Sequence, residues 1–308
     1  MSKKIIVRIA EGIGNQLFMY AHAYALSKKL NCKLYIDDTS GFYQTKNKLR
    51  GQKYMLNKFE IVNDIAEKND KFDNLSGYLR RKFLKSIDPF RKKKRFMLET
   101  KRKINNKKIS FFEKFDYKSF SEKLYVEGHY ECEKYFIDYK DDIIKKLNVK
   151  KNLIKNTEYK DLLSNSNSVS IHIRRHKYSE QPHERKDIKR RNKSEMFAKD
   201  TISYIKNSIS CLEKKLNNPK FFIWTNDFTG IENDFDPDKF IYVKNNNSIN
   251  DFHLFSFAKH FITGTSSYHW WGAWINTNKN KICTKPPSKI NPSENIEFYP
   301  SNWIEVSR

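Results

Sequence analysis

The opening of the chain limits its fold more than any other stretch. Lys4–Ala10 is a short apolar run, Glu11-Gly12-Ile13-Gly14 reads as a tight turn, and residues 15 to 30 carry Leu17, Tyr20, Ala21, Tyr24, Ala25 and Leu30 at helical spacing. Lys33–Ile36 is the next apolar run. A strand, a turn, a helix and a second strand in that order make a β-α-β unit. Its sheet is parallel and its crossover right-handed. The turn lacks the third glycine of a dinucleotide fingerprint, so nicotinamide binding is a poor reading. It is better read as a loop that a ligand or another backbone approaches closely, with Gly12, Gly14, Asn15 and Gln16 as its candidate contacts.

The rhythm returns in the second half. Val169, Ile171 and Ile173 alternate with Ser170, His172 and Arg174, the period of a strand. Ser194 is expected to cap a helix running to about Leu216. Strands follow at 221–225 and 240–243, a helix at 249–260, a strand at 261–263 and a helix at 268–275. The expectation is an α/β protein of two Rossmann-like, doubly wound domains facing a cleft, 1–150 and 151–308. The polar, basic stretch of about 40–120 is expected to form a helical insertion in the first domain.

Arg174 and Arg175 bring two permanently charged forks to the carboxyl end of a strand, where α/β folds bind ligands. Guanidinium matches phosphate oxygens bidentately, so a diphosphate suits them; two solvated arginines are the plainer alternative. Gly264-Thr265-Ser266-Ser267, between a strand and a helix, offers an anion seat of amides and hydroxyls, or ordinary helix caps. Asp251 is either a purine contact or the cap of its helix. Asn226 and Asp227 are either substrate contacts or turn formers. Trp270, Trp271 and Trp274 read mostly as core, with Gly272 and Ala273 allowing close helix packing. No His, Asp or Glu spacing typical of metal ligands occurs, so no metal is expected.

The net charge of +24 is uneven: residues 80–108 hold fourteen Lys or Arg against Asp88 and Glu99. Such a field attracts polyanions, among them anionic lipid head groups, phosphorylated glycans and nucleic acid. No helix-turn-helix, finger or ribonucleoprotein motif supports specific nucleic-acid binding. Cys32, Cys132, Cys211 and Cys283 are widely spaced and read as reduced, buried or half-buried thiols. With no signal-like N-terminus and no long apolar segment, the expectation is a cytoplasmic protein, peripheral at most on the inner face of a membrane.

Five segments succeed one another between residues 12 and 276: Gly12-Ile-Gly-Asn-Gln-Leu-Phe-Met-Tyr-Ala, Gly128-His-Tyr-Glu-Cys-Glu-Lys-Tyr-Phe, His172-Ile-Arg-Arg, Thr225-Asn-Asp, and Ser266 to Ile275 with its Trp-Trp-Gly-Ala-Trp run. In that order they resemble motifs of the bacterial α-1,2-fucosyltransferases of glycosyltransferase family 11. The resemblance implies a GT-B-like fold and no cofactor. It implies metal-independent, inverting transfer of fucose from GDP-fucose to a hydroxyl of an oligosaccharide or lipid-linked glycan. An α-1,2 linkage in surface polysaccharide or O-antigen synthesis goes with it. Arg174 would clamp the pyrophosphate with Arg175 in support, Ser266 and Ser267 would hold phosphate, and Asp251 the base. Asn226 and Asp227 would lie on the donor side, and the Gly12 loop on the acceptor side. His172 would act in catalysis or orient Arg174, and Glu180, His183 and Glu184 are candidates for a base. The chain departs from the family where His176-Lys177 replaces Gly-Asp after the arginines. That departure leaves open another GDP-sugar as donor, or a glycan-binding relative without turnover. The charge alone leaves open a non-enzymatic polyanion binder.

Overall fold

The computed structural model describes residues 3–43, 51–104, 107–110, 112–155, 158–244, 247–287 and 297–307. Two compact units divide the chain: Met1–Asn148 with Ser293–Pro300, and Val149–Pro292 with Ser301–Arg308. The late return to the first unit has a local cause. Glu297 accepts from the Phe112 N–H at 2.9 Å and pairs with Lys134, while Phe298 packs buried against Phe18.

In the first unit, Lys4–Arg8 (β1), Ile13–Lys29 (α1) and Lys33–Asp37 (β2) form the β-α-β unit that the opening sequence predicts. Asp64–Ile65 (β3), Lys94–Leu98 (β4) and Phe120–Glu127 (β7) complete a parallel sheet in the order β3-β2-β1-β7-β4. Ile5, Ile6 and Val7 are all buried, as central strands of a sheet covered on both faces must be.

The stretch expected to be a helical insertion holds, among the described residues, one α-helix, Leu75–Ile87 (α2). The rest is corrected to strand and short turns: β3 and β4 belong to the main sheet, and Lys101–Ile104 (β5) pairs antiparallel with Lys107–Ser110 (β6). Phe96 and Met97 are buried, whereas Arg95 reaches solvent. β4 is an edge strand, and edge strands tolerate lysine and arginine because those side chains discourage further pairing.

The second unit carries Asn167–Ile173 (β8), Pro219–Thr225 (β9), Phe240–Tyr242 (β10), His260–Ile262 (β11), Cys283–Lys285 (β12) and Ile304–Glu305 (β13). Every pairing is parallel and the order is β10-β9-β8-β11-β12-β13. Lys140–Lys146 (α3) and Glu158–Asn165 (α4) precede this sheet. Pro182–Arg185 (α5) and Ile188–Glu213 (α6) connect β8 to β9. The start of α6 differs from expectation: Asp187 caps it, its carboxylate accepting from the Lys189 and Arg190 N–H groups at 3.0 and 3.2 Å. Ser194 lies buried inside the helix, where its hydroxyl accepts from the Tyr178 N–H at 3.0 Å. Ser248–Phe255 (α7) is shorter than expected, since His260 already belongs to β11. Ser267–Ile275 (α8) buries all three tryptophans of its run. All four cysteines are free thiols, Cys132 and Cys283 buried and the others half-buried.

Candidate active site

Strand order in the second unit fixes where a ligand would sit. Numbered along the chain, its strands lie 3-2-1-4-5-6, so the direction of winding reverses between β8 and β11. The crevice beyond the carboxyl ends of those two strands is the usual ligand position of such a sheet. His260 and Ile262 pair with Val169 and Ile171, which sends Arg174 and Gly264 off the same edge. A Cβ on Gly264 would lie 3.6 Å from the His172 carbonyl oxygen, so the turn after β11 runs beside the end of β8.

Arg174 is half-exposed and its guanidinium pairs with the Glu180 carboxylate. Arg175 turns away towards the loop after β9. Its N–H donates to Asn226 Oδ1 at 2.7 Å, Asn226 Nδ2 donates back to its carbonyl at 3.1 Å, and its guanidinium donates to the Thr229 carbonyl. His176 Nε2 lies 2.7 Å from Asp227 Oδ2. That pairing with His176, with the Thr229 N–H next, holds the Asp227 carboxyl far below the usual carboxylate range. Asn226, Asp227 and Arg175 thus stitch two loops together, and Arg174 is the arginine left at the crevice.

His176 stands where the family pattern has glycine, and its φ is +57°. A left-handed conformation costs a side-chain-bearing residue about 1 kcal/mol or more. Lys177 lies over the Phe197 ring at 5.3 Å, against α6.

His172 is half-buried, its ring stacked on His269 with centroids 5.6 Å apart. Burial, aided by the Arg174 charge, lowers it to about 4, so it is a neutral imidazole and a weak base at neutral pH. His269, fully buried, bonds Ser170 Oγ through Nε2 at 2.8 Å. Ser266 is the N-cap residue of α8, yet its side chain makes no capping bond; Ser267 begins the helix. Asn247 caps α7, accepting from the Ile249 and Asn250 N–H groups, both at 3.0 Å. Asp251 therefore is not the cap. It sits in the first turn of α7, close enough to Tyr268 that its charge, after burial, raises that phenol. Tyr268 also faces His172, centroids 5.9 Å apart, so Asp251, the α8 N-terminus and the end of β8 border one region. Glu184 accepts from the Gln181 N–H and from Arg190 at 2.6 Å; it holds α5 together, and His183 is exposed.

The first unit has its own reversal, between β1 and β7, and the Gly12 loop leaves there. Gly12 caps α1 and Gly14 is buried in its first turn. Gln16 was expected to contact a ligand. It is instead fully buried: Nε2 donates to the Glu11 and Lys53 carbonyls at 2.8 Å each, and Oε1 accepts from the Met55 N–H at 2.9 Å. Every polar atom of that amide is used to fix the loop. Asn15 donates to the Glu11 carboxylate, which also meets His129 Nε2 at 3.0 Å. Burial opposes both charges, but each offsets that penalty for the other: His129 rises to about 9 and Glu11 falls to about 2. Glu11, Tyr130 and His176 all have φ between +53° and +64°. Strained backbone of this kind concentrates at functional sites. The sequence alone did not point to the Glu11–His129 pair, although Glu11 precedes the Gly12 motif and His129 lies within the Gly128 one. Among the described residues, no group of three or more His, Cys, Asp or Glu side chains is arranged to hold a metal ion. No described helix is long and apolar enough to cross a membrane.

The family model of glycosyl transferase family 11 matches residues 4–307. The chain belongs to that family. It is 27% identical over 320 residues to the O-antigen biosynthesis glycosyltransferase WbnK of Escherichia coli, covering 97% of this chain and 99% of the relative. It is 27% identical over 326 residues to an α-1,2-colitosyltransferase of Escherichia coli, covering 99% of each. Among solved structures it is similar to the α-1,6-fucosyltransferase NodZ soaked with GDP-fucose: TM-score 0.50, 12% identity, 95% of this chain and 97% of that one. At that identity the likeness concerns the fold alone. Family 11 membership makes this protein a glycosyltransferase, in place of the non-enzymatic polyanion binder that its charge left open.

Proposed function

We propose that this family 11 glycosyltransferase has a GT-B arrangement and transfers fucose, or a related deoxy sugar such as colitose, from its GDP derivative. The acceptor is a glycan hydroxyl in O-antigen assembly, and the new linkage is α-1,2. The observation that carries the reading is the shared edge of β8 and β11, from whose carboxyl ends Arg174 and the Gly264–Ser267 turn that leads into α8 both leave. Fixed positive charge and helix amides suit a diphosphate without requiring a metal. The O-antigen glycosyltransferase and the colitosyltransferase among its relatives support the sugar class and the pathway.

In the reaction the acceptor oxygen bonds to the anomeric carbon as the bond from that carbon to the diphosphate breaks. GDP departs with the electron pair, the anomeric configuration inverts, and the acceptor proton passes to a base or to water. Arg174 and the α8 amides stabilise the charge growing on the departing diphosphate. Asp251 accepts from the guanine edge. Glu180 positions Arg174, and His172 supports the same loop as a neutral ring. A loose transition state, in which the leaving group is well advanced, asks little of a general base.

Calorimetric titration with GDP, GDP-fucose, GDP-mannose and UDP in the presence of EDTA tests this, with Arg174→Ala in parallel. Guanine-selective binding that the variant loses is expected. Absence of guanine-nucleotide binding by the wild-type protein, or equal binding by Arg174→Ala, would overturn it.

A further inference from the structure

α2 rests on the first sheet through Leu84, which packs against Phe72, Phe96 and Tyr125, yet it divides its other side chains unusually. Its inward face carries charge: Arg81 Nη1 and Lys85 Nζ lie 2.9 and 2.8 Å from the two carboxylate oxygens of Glu127, a side chain only 9% exposed. Its outward face carries Leu75, Leu79 and Phe83, at 58, 56 and 62% exposure and at four-residue spacing. Phe90, in the turn that follows, is 90% exposed. A helix that only covered a sheet would not leave a row of large apolar side chains in water.

The surroundings of this apolar stripe are strongly basic. Lys82 is exposed beside it, and Arg91-Lys92-Lys93-Lys94-Arg95 follows Phe90 directly. Beside α2 opens a cavity of about 680 Å³ that Arg91, Lys93 and Arg95 line together with Leu84, Phe96 and Tyr125, with Asp70 and Glu122 as its carboxylates. Within it the Arg91 Nε atom is buried without a hydrogen-bond partner. An uncompensated guanidinium nitrogen in such a place is suited to an anion.

We propose that α2 and the turn after it dock the protein on an anionic lipid surface. The helix lies in the plane of the interface, with Leu75, Leu79, Phe83 and Phe90 at the acyl boundary and Arg91, Lys92, Lys93 and Arg95 against head-group phosphates. Lys94 holds the turn by donating to the Pro89 and Arg91 carbonyls. Exposed apolar groups rimmed by lysine and arginine are the pattern of an in-plane interfacial helix. Charge complementarity selects the occupant. A second copy meeting this patch across a two-fold axis would bring two basic clusters face to face. A nucleic acid would use the charge and leave the stripe in water. The surface is independent of the donor site, and the proposal stands or falls separately from the reaction.

The test is co-sedimentation of the whole protein with phosphatidylcholine vesicles with and without phosphatidylglycerol. Two variants accompany it, Leu79→Ser/Phe83→Ser and Lys92→Glu/Lys93→Glu. Phosphatidylglycerol vesicles should retain the protein, and each variant should lower partitioning on the order of tenfold with an unchanged melting temperature. Added salt should weaken binding of the wild type while a residue attributable to Leu79 and Phe83 persists. Equal partitioning of Leu79→Ser/Phe83→Ser and wild type would overturn the proposal, as charge alone would then account for binding. A wild-type dimer that this variant dissolves, without vesicle binding, would overturn it in favour of a second copy.

Discussion

His129 Nε2 lies 3.0 Å from Glu11 Oε1, joining the loops that leave two adjacent parallel strands at the reversal of the first sheet. Its titration has a definite sign. His129 is raised from 6.5 to about 9, so its stabilising contribution is complete below pH 6.5 and is lost as pH rises through about 9. Glu11 is lowered from 4.5 to about 2, so its contribution is complete above pH 4.5 and is lost as pH falls through about 2. Melting temperature should therefore decline from pH 6.5 to 9 in the wild type by a component that His129→Gln lacks. In Glu11→Gln the His129 ring, left with its burial and the smaller pull of Glu131 and Glu99, should titrate well below 9 by NMR; a midpoint still near 9 would mean that those two carboxylates supply the charge.

His176 separates backbone strain from side-chain pairing. His176→Ala keeps φ near +57° and loses the Asp227 contact, whereas His176→Gly loses the contact but relieves the backbone. The glycine variant should be the more stable of the two by about 1 kcal/mol. Thermal or denaturant unfolding reads the difference. Equal stabilities would show that the loop relaxes out of the left-handed region in the alanine variant.

Gly272 lets α8 lie against α7. A Cβ there would come within 2.7 Å of the Phe255 ring, and Phe255 also touches Tyr268 and His269. Gly272→Ala should destabilise the protein by about 1–3 kcal/mol through overpacking. Because the displaced rings border the proposed donor region, GDP affinity should fall along with the melting temperature. A variant as stable as wild type would mean that Phe255 has room to move.

Much of this architecture is legible in the chain because apolar runs are local. β1, α1 and β2, and then β8, β9 and α8, lie within a few residues of where periodicity puts them. Pairing order is not local, and the reversal between β8 and β11 becomes visible only once residues some ninety positions apart are set side by side. The same holds for Glu11 and His129. Chemical type misleads at three places. Ser194 has the side chain of a cap, but Asp187 caps earlier and Ser194 is drawn inward to the Tyr178 amide. β4 follows a lysine-rich run and reads as helix, yet an edge strand needs only Phe96 and Met97 buried to be held in the sheet. Gln16 sits in a motif that suggests a ligand contact, and three backbone partners occupy its amide instead.

Arg174 and Glu180 form the pair on which the two roles considered for that carboxylate part. A general base at position 180 would make Glu180→Gln lose turnover by about a hundredfold or more, with GDP affinity unchanged. A carboxylate that aims Arg174 leaves most of the five guanidinium donors available to a diphosphate while fixing their plane. In that case Glu180→Gln keeps the shape, loses the charge, and lowers GDP affinity and turnover together by only a few-fold, on the order of 1 kcal/mol. The second outcome is expected, because the carboxylate is already engaged by a permanent cation. Arg174→Lys should be more damaging than Glu180→Gln, since an ammonium cannot reproduce a bidentate fork. GDP titration and a transfer assay on the three proteins measure both quantities. A base role for Glu180 would be restored by intact GDP binding with turnover abolished in Glu180→Gln.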